Sequence, residues 1–359
     1  MSDNQGGGNL GSTEELKIPL ISGDGVGPEL AEAARLCLDA VASAAGRKIT
    51  FTEVPAGYSA YIKTGNPLPE ETINAMQNSP ATLLAAISGK DCPPPSPTGQ
   101  IRKLLGLFAD IRHCVSVRGS LRPGINLVIV RECSEGFLSD RNMFRGSGEF
   151  MPSPDVVLSV RVITREKCDQ IAEVAFEYAR DHGRRKITLA HKNVVFPLGC
   201  GLFRDRVLER ARNYPEIDVE EEFVDGLARN LVVNPERYDM ILTTNLFGDI
   251  LADIAAAQVG NLIPIINASK STALFYPAHG ALSQLAGQQR VNPIAMIRSV
   301  SMMLHWLKLK KAGDLLDKAV SEHEDSGLGE SLELPARMTT RDVTRSIVKS
   351  IDAQRSLTD

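Results

Sequence analysis

The chain has 359 residues, of which 43% are hydrophobic, 23% charged and 5% aromatic. These are the proportions of a globular protein of one large or two ordinary domains, and they exclude disorder and collagen-like repetition. Forty Lys and Arg against 44 Asp and Glu leave a formal net charge of -4, so there is no overall positive field to collect phosphate backbones, which argues against nucleic-acid binding.

Residues 1–16, MSDNQGGGNLGSTEEL, carry glycine and acid where a secretory leader needs a positive start and an apolar run, and read as a flexible lead-in. A β-like run from Ile18 to Ile21 enters the turn Gly23-Asp24-Gly25-Val26-Gly27-Pro28-Glu29. Helical spacing follows at Leu30, Ala33, Ala34, Cys37, Leu38 and Val41. The turn lacks the spacing of a dinucleotide fingerprint or a Walker loop, so a tight turn with positive φ and a ligand-binding loop both fit it. Further β-like segments at 50–54, 82–87, 127–130, 156–162, 186–190 and 240–243 alternate with helical patterns, which predicts an α/β scaffold. Between them, residues 90–98 hold Pro93, Pro94, Pro95 and Pro97 and predict an extended loop, a candidate wall of the active site. No stretch reaches the roughly 18 apolar residues of a membrane span. The cysteines Cys37, Cys92, Cys114, Cys133, Cys168 and Cys200 form no C-x-x-C pair and read as reduced thiols of a cytoplasmic protein.

Chemistry concentrates in a few segments. In Thr243-Thr244-Asn245-Leu246-Phe247-Gly248-Asp249-Ile250-Leu251-Ala252-Asp253, two carboxylates four residues apart share one helix face and repel each other. Apolar Ile250, Leu251 and Ile254 flank them, so partial burial calls for a compensating cation, and oxygen-only ligands favour magnesium or manganese over zinc; a solvated helix start is the alternative. Lys192 follows the β-like run 186–190, at the carboxyl end of a strand where open α/β sheets keep their sites, although a surface lysine fits equally. Arg102 lies in a helical pattern, Arg112 at its end and Arg131 after the strand 127–130; their guanidinium forks suit carboxylates. Arg118, Arg122, Arg141 and Arg145 read as solvated side chains. His279-Gly280 opens a glycine-punctuated loop that runs on to the helix start at Val291-Asn292-Pro293-Ile294-Ala295.

Taken in order, G-D-G-V-G-P-E, R-K-x-L-G-L-F-A-D-I-R, V-I-V-R-E, H-K, N-L-F-G-D-I-L-A-D, H-G and A-G-x-x-x-V-N-P-I-A resemble the β-decarboxylating dehydrogenases: isocitrate, homoisocitrate, 3-isopropylmalate and tartrate dehydrogenases. The resemblance covers nearly the whole chain from Lys17. It implies an α/β, two-domain isocitrate/isopropylmalate dehydrogenase-like fold that is not a typical Rossmann fold. Residues 17–109 and 260–359 would form the large cofactor-side domain, and 110–259 the small dimerisation and substrate domain. It also implies a homodimer with shared sites: Asp249 and Asp253 of one subunit hold Mg2+ or Mn2+ together with Asp225 of the other, Lys192 and Asp225 are the catalytic residues, and Lys192, which assists deprotonation, reaches across as well. Arg102, Arg112 and Arg131 match the arginines that hold the malate carboxylates. Ser88, His279, Gly280, Gln284, Leu285, Val291 and Asn292 fall on the cofactor side.

The implied reaction is metal-dependent oxidation and decarboxylation of a 3-substituted (2R)-malate. Ser96 and Thr98, in Ser96-Pro97-Thr98-Gly99-Gln100-Ile101-Arg102, resemble the homoisocitrate-type segment and favour an anionic C3 group. Gln284 and Leu285 stand where NADP-specific relatives have Lys and Tyr, which favours NAD; the NAD-type aspartate is also missing, and Arg290 is nearby in sequence. The chain departs from the family in Arg131-Glu132-Cys133-Ser134-Glu135-Gly136-Phe137-Leu138, where Leu138 replaces a proton-donating tyrosine. Asn193-Val194 replaces Ala-Asn, and His113 replaces a proline. Two further readings remain beside an isocitrate- or homoisocitrate-like substrate: a phosphonomethylmalate-type dehydrogenase, and a non-catalytic regulatory subunit of a hetero-oligomeric isocitrate dehydrogenase.

Overall fold

The alternation of short apolar runs with amphipathic helices produces a ten-stranded sheet flanked by helices. A computed structural model describes residues 15–89, 91–118, 120–137, 148–260, 263–324 and 331–356. Residues 1–14 of the lead expected over 1–16, Lys90, Leu138, Arg141 and Arg145 lie outside these residues, and the lead ends earlier than expected, because Leu16 already belongs to the first strand.

Strand β1 (Leu16–Gly23) leads into α1 (Gly27–Val41), with Pro28 in the first turn, where a missing N–H costs nothing. Strand β2 (Ile49–Glu53) runs parallel to β1 on one side. After helices α2 (Tyr58–Thr64) and α3 (Glu70–Gln77), the fully buried β3 (Ala81–Ala86) takes the other side. Helix α4 (Pro97–Leu104) is followed by β4 (Ala109–Val115) and β5 (Asn126–Glu132). An exposed antiparallel hairpin, β6 (Glu149–Ser153) and β7 (Val156–Ser159), stands apart from the main sheet. The chain continues through α5 (Arg165–Asp181), β8 (Lys186–His191), α6 (Gly199–Ala211), β9 (Asp218–Phe223), α7 (Val224–Val233), β10 (Met240–Thr243) and α8 (Asn245–Val259). It closes with β11 (Pro264–Ala268), β12 (Ala273–Pro277), α9 (Ile294–Trp306), α10 (Lys310–His323) and α11 (Thr340–Arg355).

The strand order is β2-β1-β3-β12-β11-β4-β5-β10-β8-β9. Both wings are parallel, but β12-β11-β4-β5 pair antiparallel in the middle, because β11 and β12 return from late in the chain to insert between β3 and β4. An all-parallel dinucleotide-binding sheet has no such centre. Three apolar clusters hold the layers together; the largest packs α1, α9, α10 and α11 against the sheet.

The structure corrects three sequence expectations. The proline-rich stretch does not stay extended to residue 98: α4 begins at Pro97, because proline's fixed φ suits the first helical position, and the Ser96 hydroxyl accepts the Gly99 N–H at 3.2 Å. Arg112 lies inside β4, not at a helix end. The strand expected over 156–162 stops at Ser159, with a single bridge from Gly136 to Val162 beyond it. In addition, β9 (DVEEEF) gives no apolar signal, because it is an edge strand whose side chains are exposed or half-buried.

Helix α8 lies very close to β5. A Cβ added at Gly248 would sit 2.4 Å from the Arg131 Cβ and 3.0 Å from Thr243 Cγ2. Gly248→Ala is therefore expected to push α8 off the sheet and to destabilise the protein by about 1–3 kcal/mol, as overpacking does. Urea unfolding measures this, and an unchanged midpoint would contradict the close approach.

Candidate active site

The middle of the sheet gathers charge. Asp110 on β4 stands across from Arg131 on β5 and from Asn267 on β11. Arg112, two residues along β4, shares its face. Asp110 is only 1% exposed. It accepts from Arg112 Nε at 3.0 Å and from Asn267 Nδ2 at 3.1 Å, and Arg131 Nε lies 3.8 Å away. Burial pushes its pKa up, but the guanidinium groups of Arg131, Arg112 and Arg102 outweigh burial and hold the carboxyl below its ordinary range. From α4, Arg102 donates through Nε to Asn267 Oδ1 and through Nη2 to Tyr276 Oη, both at 2.6 Å, and Tyr276 donates to Asn267 at 2.8 Å.

Arg112 also bridges the paired carboxylates of α8: Nη2 lies 3.1 Å from Asp249 and Nη1 lies 3.1 Å from Asp253. Arg131 Nη1 bonds Asp249 as well. Thus the cations that the sequence pattern calls for are the same arginines that it sets aside for carboxylate ligands. The Asp249 and Asp253 side chains are 53% and 82% exposed, and among the described residues their partners are guanidinium groups alone. Two accessible oxygen donors one helical turn apart fit a hard divalent cation. Among the described residues of one chain, however, no group of three or more His, Cys, Asp or Glu converges to hold a metal.

The remaining expected carboxylate has a different partner. Asp225, in the first turn of α7, is bonded by Lys192 Nζ, and this bond holds its carboxyl below the ordinary range. The Lys192 ammonium also lies 5.1 Å from the centre of the Phe223 ring. Behind it, His191 Nε2 contacts Glu221 at 3.0 Å, and Arg204 grips that same carboxylate. Of the residues that depart from the pattern the sequence resembles, His113 points away from Arg112 on the opposite face of β4, against Tyr178, and burial pushes its pKa down to about 3. Val194 is exposed.

At the other end of the sheet, the glycine turn packs on the His279 loop. Val26 N–H donates to Ala281 O at 2.9 Å, and a Cβ on Gly25 (φ 59°) would meet that same oxygen at 1.9 Å. Asp24, which sequence reasoning did not single out, accepts the backbone N–H groups of Tyr58, Ser59 and Ser88, each at 2.8 Å. Ser88 also bonds Asp91. His279 Nδ1 contacts Gly280 O at 3.0 Å while its buried Nε2 has no hydrogen-bond partner among the described residues, and burial lowers its pKa. Gln284 is exposed; Leu285, Val291 and Asn292 are buried, and the Asn292 amide is occupied by Ser331 O and Ile294 N–H. Thr98 lies one helical turn before Arg102 on α4, half-buried, beside the exposed Ser96.

Asp110, Asn267 and Tyr276 also escape sequence reasoning. Only the Asp110–Arg112 spacing, one strand period, gives a local signal; the other two arrive from β11 and β12.

Just past Arg131, Glu132 and Glu135 are buried carboxylates. Glu135 accepts the Thr164 N–H and hydroxyl, both at 2.9 Å. Burial, with Glu132 adding repulsion, pushes Glu135 up to about 7 against those two bonds. A carboxyl raised on folding contributes stability that is present below its unfolded pKa and lost as pH rises through its folded one. Wild-type stability should therefore fall between about pH 4.5 and 7, and Glu135→Gln should flatten that fall. Urea unfolding across this window tests it, and parallel curves for the two proteins would contradict it.

The family model described as isocitrate/isopropylmalate dehydrogenase matches residues 17–350. The chain is 37% identical over 342 residues to the isocitrate/homoisocitrate dehydrogenase of Thermus thermophilus, covering 93% of this chain and 98% of that one. It is 38% identical over 314 residues to a 3-isopropylmalate dehydrogenase of Archaeoglobus fulgidus, covering 85% and 92%. In structure it is similar to the isocitrate dehydrogenase of Methylococcus capsulatus, with a TM-score of 0.82 and 32% identity over 94% of this chain and 99% of that one. A β-decarboxylating dehydrogenase of Thermococcus kodakarensis gives 0.81 and 33%, over 95% and 97%. With a family match over nearly its whole length, and with relatives above 30% identity that it spans almost completely, this chain belongs to the isocitrate/isopropylmalate dehydrogenase family of β-decarboxylating dehydrogenases.

Proposed function

We propose that this protein oxidises and decarboxylates a 3-substituted (2R)-malate with an anionic C3 group, using NAD and Mg2+ or Mn2+, in a site shared between two copies of the chain. The observation that carries this reading is the Arg112 fork on Asp249 and Asp253, with Asp110 beneath it. With substrate and a divalent cation bound, the guanidinium groups would take the substrate carboxylates in place of Asp249 and Asp253, which would then be free to hold the cation. Charge would stay balanced, so the buried guanidinium groups would not be left unpaired.

In this reading Arg102, Arg112 and Arg131 hold and orient the two malate carboxylates. Asp249 and Asp253, with Asp225 of a second copy, would hold the cation, which supplies Lewis-acid polarisation of the substrate oxygens. Lys192 of the second copy accepts the C2 hydroxyl proton. NAD supplies the hydride acceptor. Carbon dioxide then leaves from C3, and C3 takes a proton from water, because the Leu138 side chain has none to give.

Several features support the finer parts. Lys192 and Asp225 pair with each other within one chain, and among the described residues Asp225 joins no group of three metal-holding carboxylates with Asp249 and Asp253, as expected of a part destined for a neighbouring site. Apolar Val232 and Val233 on α7 and Leu246 and Ile250 on α8 are exposed, as are the side chains of the β6–β7 hairpin. Such faces suit a twofold contact. Ser96 and Thr98 begin a helix with no acidic residue in its first turn, so an anionic C3 group would meet the positive end of the helix dipole there. Arg290 pairs with Glu333 at 2.9 Å, which leaves it poorly placed to neutralise a 2′-phosphate and favours NAD. The division into a large domain of 17–109 and 260–359 and a small one of 110–259 is part of the same proposal.

The test is reduction of NAD and NADP with magnesium or manganese against isocitrate, homoisocitrate, isopropylmalate, tartrate, malate and phosphonomethylmalate. One anionic acid should be turned over with release of carbon dioxide, and Asp249→Asn should lower that rate by about a hundredfold or more while the protein stays folded. Equal turnover of isopropylmalate and the anionic acids would contradict the polar pocket, and full activity of the Asn variant would contradict the metal assignment.

A further inference from the structure

A further arginine reaches α8 from the side away from Asp249. Arg161, just beyond β7, places its guanidinium 5.3 Å from the ring centre of Phe196, 5.4 Å from that of Phe247 and 6.0 Å from that of Phe137. Its Nη2 donates to Thr244 Oγ1 at 3.2 Å, and its Nη1 donates to Cys200 Sγ at 3.4 Å. Among the described residues it has no carboxylate partner; three ring faces, a thiol and a hydroxyl surround it.

Helix stability does not explain this placement. Thr244 is the N-cap residue of α8, and a cation beside a helix N-terminus is disfavoured by the helix dipole, with no acid in the first turn to offset it. The contacts do join segments that carry the proposed chemistry. Phe196 N–H and Val195 N–H donate to the Lys192 carbonyl at 2.9 and 3.0 Å, so Phe196 closes the turn on which Lys192 stands. Phe247 lies two residues before Asp249, hence about 200° around the helix from it. Arg161 on one side, and Arg112 with Arg131 on the other, thus grip α8 from roughly opposite faces. Phe137 follows Gly136, whose N–H and carbonyl both pair with Val162 next to Arg161.

We propose that Arg161 is a positioning residue: its aromatic cage fixes the turn that carries Lys192 to the helix that carries Asp249. The proposal rests on the catalytic reading of those two residues. If Lys192 serves the neighbouring copy while Asp249 serves its own, Arg161 is also a physical link between the two sites of a dimer.

The experiment compares wild type, Arg161→Met and Arg161→Lys as full-length proteins by hydrogen–deuterium exchange and steady-state kinetics. Met keeps the length but loses the charge and both hydrogen bonds; Lys keeps the cation for the rings and loses the planar fork. In the Met variant, amide protection should fall together in residues 193–200 and 245–249. Turnover should drop by about ten- to a hundredfold with the cofactor KM unchanged, since small misplacements at a catalytic group cost this much. The Lys variant should recover most of both. Should Met unfold the protein, Phe196→Leu removes one ring and should show the same paired loss in milder form. Unchanged protection, or loss confined to residues near 161, would overturn the proposal, as would a Lys variant no better than Met. Exchange judges the link even if wild type turns over none of the acids tested, an outcome that would sink the functional reading alone.

Discussion

The site is organised around one buried carboxylate. Asp110 sits at the centre of the sheet with its charge retained, and an ionised carboxylate at that depth is tolerable only when cations and donors surround it. Arg112, Arg131 and Arg102 supply the charge, and Asn267 supplies a neutral donor. The dependence is mutual, because three guanidinium groups drawn together would repel without an anion among them. The antiparallel centre makes the meeting possible: the registers of β4 with β5 and of β11 with β4 set Arg131 and Asn267 directly across from Asp110.

From that anchor the rest of the geometry follows outward. Arg112 and Arg131 are fixed at their inner ends by Asp110, and their outer nitrogens meet the exposed carboxylates of α8. Gly248 lets the helix come close enough for this, and Arg161 grips the helix from the other side. On the proposed reading, one chain carries a complete anion clamp and two of the metal carboxylates, while its lysine and its third carboxylate are paired with each other and directed to a neighbour.

The parts legible in the sequence are those set by local spacing. Asp249 and Asp253 fall one helical turn apart inside a recognisable helix, Lys192 follows an apolar strand, and the strand-turn-helix start at residues 18–30 is unmistakable. The parts that were not legible depend on distant pairing or on exceptions to composition rules. Asn267 and Tyr276 lie more than 150 residues from the arginine they bond. Pro97 reads as a helix breaker, because its role depends on standing first in the helix. The charged β9 is a strand only because β8 offers it an edge. Asp24 reads as a turn residue until the loops whose N–H groups it collects are brought together.

The central claim is that one active site is assembled from two copies of the chain, and subunit complementation tests it most directly. Lys192→Met and Asp249→Asn are each expected to be inactive alone. Mixed in equal amounts, dissociated and reassociated, they should regain about a quarter of wild-type activity, because half of the random dimers are mixed and each of these restores one of its two sites. A mixture that stays as inactive as its components, with mixed dimers shown to be present, would place Lys192 and Asp249 in the same chain's site and contradict the account.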